Sequence, residues 1–207
     1  MNPKLDAILE LASRYQYNER HAHQVECLVG TLFLEMEELH NLPREDRKLL
    51  EYAAILHDIG WYVSGRGHHR HTLMMILQEP LPAFSRNEVT IIANVARYHR
   101  KALPTVDHTA YGILSEPDRQ RVRQLAALLR IADALDRSHK ELIKELSCQI
   151  LDDRVIIRVV AEEELPVELA AVSRKAELFR QVFQRDPVIE LQKPKQSAEE
   201  GVLETVG

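Results

Sequence analysis

Through the first two-thirds of the chain apolar residues recur every three or four positions, the spacing that lines one face of an α-helix. Leu5, Ile8, Leu9 and Ala12 predict a first helix. A second is expected over residues 19–39, with Asn18 as its cap and Val25, Leu28, Val29, Leu32, Phe33, Met36 and Leu39 along one stripe. Pro43, with Glu45 and Asp46 suited to a positive helix start, opens a third over 44–58, which Gly60 ends. Residues 64–67 read as a loop, and 71–78 as a short helix closed by Pro80 and Pro82. Ser85 and Glu88 have the spacing of a capping box, which starts a helix reaching about Tyr98. After an irregular stretch from 103 to 116, a long helix is expected over 118–142, with Val122, Leu125, Leu128, Leu129, Ala132 and Leu135 inward.

The pattern changes near Ser147. Two β-branched runs flank Asp152-Asp153 and predict a hairpin. Residues 168–183 return to helical spacing through Leu169, Val172, Ala176, Phe179 and Val182, and 188–191 form a candidate third strand. The expected fold is mainly α: a helical bundle at 1–143, a small ββαβ unit at 144–192, and a polar, frayed tail at 193–207.

Composition narrows the class. With 45% hydrophobic residues among 207, the chain can fill a core without disulfide or metal staples. Seven Gly and nine Pro are too few for a loop-rich all-β fold. A net charge of -5 disfavours a nucleic-acid-coating protein. Cys27 and Cys148 lack motif spacing, which suggests a reducing compartment, and Cys27 reads as a packing residue. The charged start is unlike a signal peptide and no stretch suits a bilayer, so a cytoplasmic protein is expected.

Ten histidines are the compositional oddity. His21, the pair His57-Asp58, His71, His99 and Asp133 fall on separate expected helices in mostly apolar surroundings. An unpaired carboxylate at Asp133, inside LAALLRIADALD, would cost several kcal/mol by desolvation unless a cation or hydrogen bonds compensate. Neighbours on a helix point about 100° apart, so His57 and Asp58 reach one ion only off the helix end. Imidazoles mixed with carboxylates suit Mn, Fe, Co, Ni or Zn better than Mg or Ca. His23, His40 and His108 read as surface or satisfied core residues.

The order His21, His57-Asp58, Asp133 resembles the HD superfamily of metal-dependent phosphohydrolases. HHRHTLMMI at 68–76, RYHRK at 97–101, LAALLRIADALDRSH at 125–139 and RKAELFRQVF at 174–183 are similar to the C-terminal half of the exopolyphosphatase/guanosine pentaphosphate phosphohydrolase family. The resemblance implies an HD-domain helical bundle holding one or two divalent transition-metal ions. His21, His57, Asp58 and Asp133 would hold one ion; His71 and His99 match the extra ligands of two-metal members, with His69 an alternative to His71 in the run HHRH. Asp58 and Asp133 would be catalytic, with Asp133 or a nearby histidine handling the proton. His68, His69 and His139 would be outer partners. Arg70, Arg97, Arg100, Lys101, Arg130 and Arg137 fall near these ligands in sequence and are candidate phosphate contacts, because guanidinium forks match phosphate geometry.

That family's polyphosphatase chemistry belongs to two N-terminal ATPase-like lobes with no counterpart in this sequence, so that activity is not carried over. The expectation is a metal-dependent phosphohydrolase acting on a phosphomonoester or phosphoanhydride of a phosphorylated small molecule, such as a nucleotide. The rival expectation is a non-catalytic module, because the same half in the family helps to bind polyphosphate and to form a homodimer.

Overall fold

The computed structural model describes residues 2–194. The helical part runs α1 (Pro3–Arg14), α2 (Glu19–Glu35), α3 (Glu37–His40), α4 (Asp46–Leu56), a 3-10 turn (Ile59–Tyr62), α5 (His68–Gln78), α6 (Arg86–Arg97), α7 (Thr109–Gly112) and α8 (Glu116–Leu135). It is followed by β1 (Glu145–Ile150), β2 (Arg154–Val160), α9 (Pro166–Lys175), α10 (Glu177–Phe183) and β3 (Asp186–Gln192). The fold is mainly α, as its periodicity predicts. The tail expected at 193–207 lies, from residue 195 on, outside the described residues.

Helix starts follow local chemistry. Asn2, Asn18 and Ser115 each accept backbone N–H groups of the turn they open, and Ser85 with Glu88 closes a full capping box. α2, α4, α6 and α8 then form a closed ring in which α2 touches α4 and α8, and α6 touches the same two. Leu32, Phe33, Leu50, Ile55, Ile92, Leu128 and Leu129 fill the middle, fully or almost fully buried.

β2 is the central strand, antiparallel to β1 and parallel to β3. Its alternate residues Val155, Ile157 and Val159 are buried and share one apolar cluster with the helices. The parallel pairing needs a long crossover, which α9 and α10 supply while packing on α8. That packing brings the end of α9 to the end of α8.

Several expectations need correction. α8 stops at Leu135, not 142, because Asp136 leaves helical geometry and turns its carboxylate onto the Glu141 N–H. The single helix expected over 168–183 is two, breaking at Ala176. Leu169 faces outward because Glu168 takes the buried position, where it accepts the Ser138 N–H at 2.9 Å. Cys27 is exposed rather than packed. Among the described residues no helix is long and apolar enough to cross a membrane.

Candidate metal centre and anion cleft

Four imidazoles from four elements meet at one end of the helical ring. His21 lies in the first turn of α2, whose start is fixed by the Asn18 side chain accepting the His21 N–H. His57 ends α4, and Asp58 begins the 3-10 turn. His68 opens α5, and His99 follows the end of α6. Asp133 stands in the last turn of α8.

The turn after Asp58 is held tightly. Thr72 on α5 donates its hydroxyl to the His57 carbonyl and accepts the Gly60 N–H, both at 3.0 Å. A Cβ on Gly60 would lie 2.1 Å from the His68 carbonyl oxygen, so only glycine lets α5 approach this closely. That approach carries His68 onto Asp58, with Nε2 and Oδ1 3.1 Å apart.

Every one of these imidazoles directs its Nδ1 toward an oxygen. His57 Nδ1 lies 2.6 Å from the Ala54 carbonyl, His99 Nδ1 2.6 Å from that of Ala96, and His68 Nδ1 3.1 Å from that of Gly65. His21 Nδ1 lies 2.7 Å from the Asp136 carboxylate. A carbonyl or carboxylate oxygen can only accept, so Nδ1 carries a proton and, in the neutral ring, Nε2 presents a lone pair.

Those lone pairs converge. His21, His57 and Asp133 form one group of candidate ligand atoms, and Asp58, His68 and His99 form a second, each within 4.8 Å internally. His21 Nε2 and His57 Nε2 are buried without any hydrogen-bond partner. His68 Nε2 faces His99 Nε2 at 3.3 Å, two lone pairs that repel unless a cation or proton lies between them. Asp58 spans the groups, with Oδ1 3.5 Å from His99 Nε2 and Oδ2 3.6 Å from His57 Nε2.

The electrostatics match this crowding. Burial pushes the Asp58 and Asp133 carboxyls upward but is outweighed: the imidazoles of His57, His68 and His99 hold Asp58, and Lys175 with His21 holds Asp133, below the usual carboxylate range. Burial drives His99 well below its ordinary value. Burial pulls His21 down too, yet the nearby Asp133 carboxylate and the hydrogen-bonded Asp136 carry it up to about 9, so a proton or another cation on Nε2 is favoured there.

Beside the ligand groups lies a cleft of about 200 Å³ lined by Asp58, Asp133, Arg100, Arg137, Arg174 and Lys175, among others. Lys175, the last residue of α9, is ion-paired with Asp133. Arg100 reaches within 3.4 Å of His68 Nε2. The cleft therefore joins buried Asp133 and half-buried Asp58 to four cationic side chains, an arrangement suited to a cation and an anion together.

Of the expected ligands, His21, His57, Asp58, His99 and Asp133 are brought together. His71 is not, and His68 stands in its place. The buried stripe of α5 is His68, Thr72 and Ile76 with His69 and Leu73, a phase that leaves His71 on its flank. His69 is buried beside His68 but belongs to neither ligand group; burial and then its charged neighbours lower it to about 4. Of the expected phosphate contacts, Arg100 and Arg137 line the cleft. Arg70, Arg97 and Lys101 do not. Arg70 lies over Gly67, Arg97 lies over the Tyr98 ring at 5.3 Å, and Lys101 is exposed in the turn after α6. Arg130 is a buried strut, donating to the carbonyls of Tyr98 and Lys175 at 3.1 Å each.

Sequence reasoning gave no role to Asp136, Trp61, Arg174 or Lys175. The last two lie some forty residues beyond Asp133, and only the crossover returns them to the site. For His68 a signal existed: its i, i+4, i+8 spacing with Thr72 and Ile76.

Comparison with known proteins agrees with this architecture. Residues 4–178 match the family described as Ppx/GppA phosphatase, domain III. A guanosine-5'-triphosphate,3'-diphosphate pyrophosphatase of Pseudoalteromonas translucida (strain TAC 125) is 30% identical over 147 residues, 68% of this chain and 28% of that protein. The protein of the same name from Vibrio vulnificus (strain YJ016) is 25% identical over 172 residues, 80% of this chain and 33% of its own length. The chain thus spans a third or less of these curated relatives. With the match running from α1 into α10, the chain belongs to the Ppx/GppA phosphatase domain III family.

Proposed function

We propose that the chain is an HD-type, metal-dependent phosphohydrolase that cleaves a phosphomonoester or phosphoanhydride of a phosphorylated small molecule. The observation that carries this reading is the set of four imidazoles whose Nδ1 atoms are committed to oxygens and whose Nε2 lone pairs converge on Asp58 and Asp133. Buried, unpartnered nitrogens beside buried carboxylates are costly unless a cation compensates. His21, His57 and Asp133 would hold one divalent transition ion, His68 and His99 a second, with Asp58 shared. Such ions, when bound, make water a nucleophile near neutral pH and offset phosphate charge.

The chain's own residues supply the rest. Arg100, Arg137, Arg174 and Lys175 would hold the phosphoryl oxygens in the cleft by charge-assisted hydrogen bonds. Hydrolysis adds the oxygen of water to phosphorus and breaks the bond to the leaving oxygen, which takes a proton. His139 lines the same cleft, and partial desolvation with the neighbouring His21 lowers its pKa, so as a neutral base it suits taking the proton of the attacking water and passing it to the leaving oxygen. The relatives' name, a nucleotide pyrophosphatase, supports phosphohydrolysis as the reaction class. A cytoplasmic setting is part of this reading, on the sequence grounds given above.

A second reading is a module that binds a phosphorylated ligand without cutting it. The Lys175–Asp133 ion pair favours it, because an ammonium already compensates that carboxylate. The deciding experiment strips the protein with chelator and adds back Mn, Fe, Co, Ni or Zn. Metal content, thermal stability and phosphate release from a panel of esters and anhydrides are then measured. Metal uptake with phosphate release that Asp58→Ala abolishes is the expected result. Phosphate binding without release selects the second reading, and failure to bind any of these metals overturns the first.

A further inference from the structure

A second cavity, of about 460 Å³, adjoins the anion cleft and shares Asp58, Trp61 and His139 with it. Its other walls are Tyr15, Gln16, Tyr17, Asn18 and Tyr62. Four aromatic residues thus surround a cavity one residue's width from the phosphate-binding side.

Trp61 is the divider. Its indole stacks on the His68 ring, with centroids 4.8 Å apart and planes 23° from parallel. Gly65 lies beneath it: a Cβ there would come within 2.3 Å of the indole. Held so, Trp61 still keeps 55% of its surface exposed, and Tyr62 keeps 57%. Tyr15 meets Tyr62 edge to face at 5.3 Å, which fixes the far wall. Such exposure is costly in water and gains from covering by a flat apolar ring. The amide of Gln16 supplies donors and acceptors at the rim.

We infer that this cavity is a ring-binding subsite, in which Trp61 and Tyr62 stack the base of a nucleoside phosphate whose phosphate lies in the adjoining cleft. Stacking on an indole is tolerant of base identity, because every base presents a π-face. The subsite therefore selects nucleotides over ring-less phosphate esters, without setting which base is taken. The inference deepens the phosphohydrolase reading and rests on it for the role of the cleft, but base binding is measurable without hydrolysis.

Trp61 is the protein's one tryptophan and borders both cavities, so the subsite is read from the difference in its fluorescence between nucleotides and ring-less phosphates. The full-length chain is titrated with AMP, GMP, CMP and UMP, and separately with ribose 5-phosphate and inorganic phosphate, with and without added Mn. Saturable quenching by at least one nucleotide and none by the two ring-less probes is expected. In the kinetic arm, Tyr62→Ala lowers kcat/KM for that nucleotide relative to ribose 5-phosphate by roughly 10-fold, the scale of one lost stacking contact. If no nucleotide quenches, or if ribose 5-phosphate quenches equally, the subsite is overturned even where hydrolysis is robust. Quenching with no hydrolysis of any ester supports the subsite and removes only the phosphohydrolase reading.

Discussion

Asp136 accepts the Nδ1–H of His21 at 2.7 Å while its other oxygen accepts the Glu141 N–H at 2.8 Å. One carboxylate thus ends α8, shapes the segment leading to β1 and fixes which nitrogen of His21 faces Asp133. Outer carboxylates of this kind orient a ligating imidazole and strengthen it as a donor.

Asp136→Asn keeps the shape but weakens the acceptor, and it permits the other His21 tautomer. The expected outcome is metal affinity lower by about 10- to 100-fold with helical content unchanged. Calorimetric titration of chelator-stripped protein measures it, and equal affinity in variant and parent would refute the role given to Asp136.

Lys175 takes the Oδ2 of Asp133, while His21 and His57 face its Oδ1, and it comes from an element more than forty residues away. Its ammonium competes with a cation for the carboxylate yet would bind a phosphate in the cleft. Lys175→Gln should therefore move two constants in opposite directions. Metal affinity rises, and KM for the phosphorylated substrate rises by roughly 10-fold, the size of one lost charge-assisted hydrogen bond. A variant in which both affinities fall together would mean that Lys175 merely supports the fold.

How much of this was legible beforehand depends on distance along the chain. The caps at Asn18 and Ser85, the stripe of α2 and the hairpin are local chemistry, and they appear where the pattern puts them. His21, His57, Asp58, His99 and Asp133 stood out because polar groups on apolar faces need partners. The sequence left His71 or His69 as the ligand and made His68 an outer partner; helix phase puts His68 there instead, because a start at residue 71 sets that phase wrongly and one at His68 sets it correctly. Arg174 and Lys175 were beyond local reasoning, since only the β2–β3 crossover returns them to α8. Arg130 looked like a phosphate contact and is instead buried, holding the carbonyls of Tyr98 and Lys175.

Gly60→Ala tests the close packing that brings His68 to Asp58. The new methyl would meet backbone first, the His68 carbonyl and the Thr72 N–H, and then the Thr72 hydroxyl, itself held by hydrogen bonds to His57 and Gly60. The expected cost is about 3 kcal/mol of stability, at the upper end for overpacking. Metal affinity should fall with it, because α5 must retreat and take His68 along. Denaturant unfolding measures the first and metal titration the second. Full stability together with parental metal affinity would show that the turn tolerates a side chain.

His40 provides a titration remote from the metal ligands. It is buried at the end of α3, with Nε2–H donating to the Phe33 carbonyl at 2.8 Å and Nδ1 accepting the Leu42 N–H at 2.9 Å. Only the neutral ring can do both, and burial lowers its pKa below 6.5 despite the Phe33 carbonyl. The sign follows: above 6.5 the ring is neutral folded and unfolded, and its stabilising contribution is complete. As pH falls below 6.5 the unfolded chain takes up a proton first, and stability is lost until the depressed folded value is passed. Buried His69 and His99 are shifted in the same direction and His21 in the opposite one, so the comparison is parent against His40→Gln, which retains a donor and an acceptor without a titrating ring. Thermal unfolding between about pH 7.5 and 5 should show the parent losing more stability than the variant. Parallel curves would place the acid sensitivity elsewhere.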